Sequence, residues 1–81
     1  MNKQTLSYEV LTEKGNSYIW KFTEHLPQDK DHYGNGIYVS AECAGHRMSI
    51  DCRYQKYNFE TICENWIKNY YDANLLKFMK I

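Results

Sequence analysis

On both sides of a short glycine-containing turn, apolar side chains fall on every second residue: Leu6, Tyr8 and Val10, then Tyr18, Trp20 and Phe22. Successive side chains of an extended chain point to opposite sides, so strict alternation marks strands with one buried face. The intervening TEKGNS predicts a hairpin. A three-residue loop Glu13-Lys14-Gly15, with Gly15 left-handed, sets Val10 opposite Tyr18, Tyr8 opposite Trp20 and Leu6 opposite Phe22.

A second hairpin is expected from about Gly36 to Tyr54, turning at Ala44-Gly45. Cys43 then faces His46, Glu42 faces Arg47, Ala41 faces Met48, Val39 faces Ile50 and Ile37 faces Cys52. One face is apolar. The other carries Tyr38, Ser40, Glu42, Arg47, Ser49, Asp51 and Arg53, with Glu42 and Arg47 placed for a cross-strand ion pair. A slip of one residue would reverse both faces, which pins the register.

In YNFETICENWIKNYYDAN the period changes. Asn58 suits an N-cap, and Phe59, Ile62, Cys63, Trp66, Tyr70 and Ala73 make one helical stripe, with Glu60, Thr61, Glu64, Lys68 and Asp72 opposite. Asn74 is the expected end cap. The tail LLKFMKI does not continue the stripe and reads equally as a short helix or an added strand. The predicted fold is therefore α+β, a four-stranded antiparallel sheet of two hairpins with one face covered by a C-terminal helix (ββββα), its strands simplest in the order 1-2-3-4.

The chain has 81 residues, enough for one domain, 1–81, with one modest core. Ten basic residues cancel ten acidic ones, so no net field attracts or imitates a polyanion. No apolar run approaches the roughly 18 residues of a membrane span, and the start lacks the apolar core of a signal peptide. Three cysteines without a paired framework suit a reducing cytoplasm. Lys dominates the basic residues, and Asn, Ile and Tyr are frequent, the composition that AT-rich coding produces.

Metal chemistry finds little footing. Residues 29–34, DKDHYG, begin like a calcium loop, but Tyr33 is a poor fifth-position ligand and Ser40 stands where the bidentate glutamate belongs. Cys43, His46 and Cys52 resemble zinc ligands in type. The hairpin register, however, puts Cys52 roughly 20 Å from Cys43, too far for one tetrahedral centre or a disulfide. Cys52 and Cys63 read as core residues. His46 beside Cys43 at a hairpin tip has no cleft to exclude water, His25 and His32 flank the long loop as surface histidines, and no cofactor or catalytic set is expected.

Binding is the remaining class. The segment from His25 to Asn35 is long for a connection, about eleven residues where two to six is usual, and it gathers Asp29, Asp31, His32 and Tyr33. One aromatic among adaptable polar groups is the mixture of a protein-recognition loop. Tyr38, Lys21, Arg47 and Arg53 on the open sheet face offer single-stranded nucleic acid an alternative platform. In layout, ββββα resembles the single-stranded-DNA-binding transcriptional coactivator family, with no residues carried over. In size, neutrality and composition the whole chain resembles small phage-encoded inhibitors of the anti-CRISPR type and toxin-immunity proteins. Those resemblances imply a cytoplasmic, non-enzymatic module that inhibits a larger bacterial protein or ribonucleoprotein complex.

The predicted register generates one test. Elemental analysis before and after chelator treatment is expected to find no stoichiometric zinc; zinc lost together with the fold would overturn the register.

Overall fold

Both hairpins form in the predicted registers. The computed structural model describes residues 4–26, 37–52 and 57–81, apart from the side chain of Asp51. β1 (Thr5–Thr12) and β2 (Ser17–His25) pair antiparallel, with Val10 opposite Tyr18, Tyr8 opposite Trp20 and Leu6 opposite Phe22. Gly15 adopts φ +89°, and its N–H donates to Thr12 O at 2.9 Å, closing the three-residue loop. β3 (Tyr38–Cys43) and β4 (His46–Asp51) pair from Cys43 opposite His46 to Tyr38 opposite Asp51. The expected Ile37–Cys52 pair falls one step beyond that ladder.

The helix α1 (Phe59–Tyr71) begins as expected, with the Asn58 side chain accepting from Thr61 N at 3.1 Å. Its buried residues are Phe59, Ile62, Cys63 and Ile67. Ile67 was missing from the predicted stripe, and Ala73 does not belong to it. The helix stops earlier than Asn74 because Asp72 takes φ 48°, followed by a 3-10 turn over Asp72–Asn74.

The four-stranded prediction needs correcting, since the tail forms a fifth strand, β5 (Leu75–Lys80). The sheet order is β4-β3-β2-β1-β5, the predicted order of four with one strand added beside β1. A bulge shifts the β1–β5 register between Leu11 and Thr12. Apolar residues of both parities in LLKFMKI concealed the strand period. Phe78 and Leu75 pack toward the core while Leu76 and Met79 stay exposed.

The core lies between α1 and one sheet face. Tyr8, Val10, Trp20, Phe22, Val39 and Ala41 meet Phe59, Ile62, Cys63 and Ile67, all nearly or fully buried. Trp66, partly buried, packs edge-on against Trp20 at 4.9 Å and Phe22 at 5.7 Å. The same parity places one carboxylate inward. Glu24 is buried at the end of β2, where it accepts from Gln4 N at 3.2 Å and from the Tyr57 hydroxyl. Glu24 thereby ties the segments before β1 and before α1 to the sheet.

Truncation separates the faces of α1. Trp66→Ala and Ile67→Ala should each cost about 3 kcal/mol in urea denaturation, whereas Lys68→Ala should change stability by less than about 0.5 kcal/mol. Equal midpoints for all three would mean that α1 does not pack on the sheet in this orientation.

Candidate functional site

Where both hairpin turns and the end of α1 meet, the structure leaves a cleft of about 400 Å³. That volume suits one or two side chains or a small ligand. β2 supplies Tyr18 and Trp20, the two turns supply Lys14, Asn16, Cys43, Ala44 and His46, and the helical end supplies Tyr70, Tyr71 and Asn74. The backbone holds these parts together. Glu13 N donates to Asn74 O at 2.8 Å, joining the 3-10 turn to the first hairpin, and Asn16 N donates to the Thr12 hydroxyl at 3.1 Å.

Aromatic geometry builds the walls. Trp20 Nε1 donates to the Tyr71 hydroxyl at 2.6 Å, Tyr18 stacks near Tyr71 at 6.2 Å, and Tyr70 stacks on Trp66 at 4.7 Å. Tyr18 and Tyr70 remain 39% and 50% exposed, leaving apolar ring surface facing water. Burial raises the Tyr71 phenol above its ordinary range, partly offset by the Trp20 hydrogen bond, so it is neutral near pH 7. Lys14 and His46 bring basic nitrogen to the lining, and no carboxylate is among its described residues.

Ala44 lies in the left-handed region at φ 48°, followed by Gly45 at φ 88°. A two-residue turn of this type prefers Asn-Gly, and alanine there carries strain. Strain beside a cleft is an observation that points toward function. Burial also raises the Cys43 thiol, countered in part by a hydrogen bond from the Ile19 backbone. A protonated, buried thiol is a poor nucleophile, and His46 does not alter that.

The opposite sheet face departs from expectation in two residues. Ser40 is 4% exposed and His25 is 2% exposed, although both were expected at the surface. The His25 ring stacks on Tyr38 at 4.5 Å and 11°, and its Nε2 lies 2.9 Å from Ser40 Oγ and 3.5 Å from an Arg47 nitrogen. Ser40 and His25 have the spacing of a nucleophile and its base, and both are buried. Of the predicted site residues, Tyr38 and Arg47 thus converge on His25. Asp29, Asp31, His32, Tyr33 and Arg53 lie outside the described residues.

The remaining charges on this face run in rows. Ser7, Lys21, Glu42 and Arg47 are successive register partners, as are Thr5, Thr23, Ser40 and Ser49. Acid thus sits between the two bases. Among the described residues, no three His, Cys, Asp or Glu side chains gather closely enough to hold a metal ion. No helix of the described residues is long and apolar enough to cross a membrane.

The sequence pointed to the loop and the open face and missed the cleft. Tyr18, Tyr70 and Tyr71 were legible only as members of a hairpin and a helix; their meeting depends on how α1 crosses the sheet. A signal did exist, because Tyr18 continues the buried parity into a turn.

Burial pushes the Cys63 thiol up to about 12, aided by nearby Cys52, and raises the Tyr8 and Tyr57 phenols, aided by Glu64 and Glu24 respectively. These groups are neutral when protonated, so in alkali the unfolded chain releases protons first. Their stabilisation is complete below about pH 8.5 and is lost as pH rises toward 12. Melting temperature should hold between about pH 7 and 8 and fall steadily above about pH 9, with Cys63→Ala removing the earliest part of the fall. A flat profile to pH 11 would contradict the assigned burial.

No protein-family model, curated protein or solved structure matches this chain.

Proposed function

We propose that the chain is a small non-catalytic recognition module that inhibits a larger bacterial protein or complex by taking an anchoring side chain of that partner into the aromatic cleft. The observation that carries this reading is the cleft itself, walled by Tyr18, Trp20, Tyr70 and Tyr71 and open to solvent. Tyrosine and tryptophan are the side chains around which interface energy concentrates. Lys14 and His46, without a lining carboxylate, favour an apolar or aromatic anchor next to an acidic group.

Several features support binding over catalysis. The Cys43 thiol is held protonated, and the Ser40–His25 pair is buried. Small size, zero net charge and a composition of the kind AT-rich coding produces support the inhibitor class and its bacterial setting. The segment containing Asp29, Asp31, His32 and Tyr33 is a second recognition element, proposed from its composition alone.

Single-stranded nucleic acid on the opposite face is the second reading, favoured by Lys21, Arg47 and Tyr38 lying on that face. Glu42 between the two bases and the stacking of Tyr38 on His25 weigh against it.

Pull-down from bacterial lysate with and without nuclease separates the two readings, followed by affinity measurement on the captured partner. Tyr70→Ala should lose about thirtyfold in affinity, on the order of 2 kcal/mol, with unchanged circular dichroism. Lys14→Glu should weaken binding further at low salt, and Tyr33→Ala reports on the loop. Arg47→Glu with Arg53→Glu should have little effect. Capture abolished by nuclease and by the arginine variants, with Tyr70→Ala silent, would replace protein recognition with nucleic-acid binding.

A further inference from the structure

We propose that β5 pairs antiparallel with β5 of a second copy of this chain, joining two five-stranded sheets into one through a two-fold axis at Met79. In the sheet order β5 has β1 on one side and, among the described residues, no strand on the other. Its backbone shows which groups face outward. Ile81 N donates to Ser7 O at 2.9 Å, so odd-numbered residues of this stretch bond to β1. Phe78 and Lys80 therefore direct their N–H and C=O groups to the free edge.

Self-pairing registers centred on a residue keep inner faces on the same side, and the sequence separates the three that overlap the strand most. Centring on Lys77 sets two ammonium groups directly opposite each other. Centring on Phe78 runs into the bulge, where Lys77 pairs with Leu11 but Leu75 with Thr12, leaving Leu76 as the extra residue. Centring on Met79 uses the regular stretch. It pairs Phe78 with Lys80 twice, for four backbone hydrogen bonds, and places Lys77 across from Ile81.

This register covers what the single chain leaves bare. Met79 and Ile81 are 46% and 71% exposed on the outer strand. A lysine on an edge strand usually guards against pairing, but Lys80 is held by Glu60 at 2.5 Å. Lys68 lies over the Phe78 ring at 6.0 Å. Pairing Lys80 with the second copy's Phe78 consequently brings Glu60 of one copy toward Lys68 of the other, acid against base on both sides of the axis. Two short paired strand segments make a smaller contact than a standard interface of about 1,200–2,000 Å², which places the association among the weak ones.

Sedimentation velocity from about 10 µM to 1 mM should show the wild-type coefficient rising from monomer toward dimer. Met79→Lys, which opposes two cations on the axis, should remain monomeric throughout. Ile19→Lys, on an interior strand, should associate like wild type. Register is read separately with Met79→Cys: residues facing each other at a non-hydrogen-bonded pair have Cα atoms about 4.5 Å apart, within disulfide reach. Mild oxidation should convert most of that variant to a covalent dimer, while the buried native thiols do not crosslink wild type. A wild type that is monomeric at 1 mM, or dimers unaffected by Met79→Lys, would overturn the proposal.

Discussion

Tyr8 and Val10 on β1 and Trp20 and Phe22 on β2 form the contact on which the rest of the molecule is built. These strands occupy the middle of the sheet, and the four side chains are nearly or fully buried beneath α1. Tyr8 meets Phe22 and Phe78 edge-on at 5.7 and 5.9 Å, so one ring joins β2 and β5 to the core. Its hydroxyl donates to Glu64 at 3.2 Å and reaches α1 as well. A one-residue slip between β1 and β2 would turn this whole set toward solvent. Burying about 1.5–3 kcal/mol per large apolar side chain makes that slip prohibitive.

One parity of β2 meets three environments along its length. Trp20 and Phe22 lie under α1, Glu24 lies beyond them in a polar niche with Gln4 and Tyr57, and Tyr18 lies where the helix has ended. The cleft is thus the continuation of the core past its cover. Because Asp72 turns the chain at φ 48°, the 3-10 turn docks on the first hairpin and leaves Tyr70 and Tyr71 as walls. The core and the candidate site share one row of side chains, which is why Trp20 contacts both Trp66 and Tyr71.

The other sheet face is organised by hydrogen bonding and charge. Its centre buries Ser40 under a histidine that also stacks on Tyr38, and an acid between two bases breaks its electrostatic continuity. Such a face is a weaker platform for a polyanion than its count of cations suggests. The cleft proposed for recognition and the β5 edge, which has no second strand beside it among the described residues, are built from different elements, so the two proposals are physically separable.

Local periodicity in the sequence determined both hairpins, their registers and the helix start, since a period of two, a glycine at positive φ and a capping asparagine act within a few residues. Pairs such as Tyr8 with Trp20 and Val39 with Ile50 were legible for that reason. Tertiary structure alone decided the rest. LLKFMKI became a strand because β1 had an edge to complete, Ile67 became core through the crossing of α1, and His25 and Ser40 became buried on a face that alternation alone marks as open. The cleft belongs to this second group: Tyr18 and Tyr71 are separated by more than fifty residues in sequence and stack because two hairpin turns and a helix end converge. Short-range steric and hydrogen-bonding rules can be read along a chain, whereas burial and proximity are set by contacts between elements that no local pattern specifies.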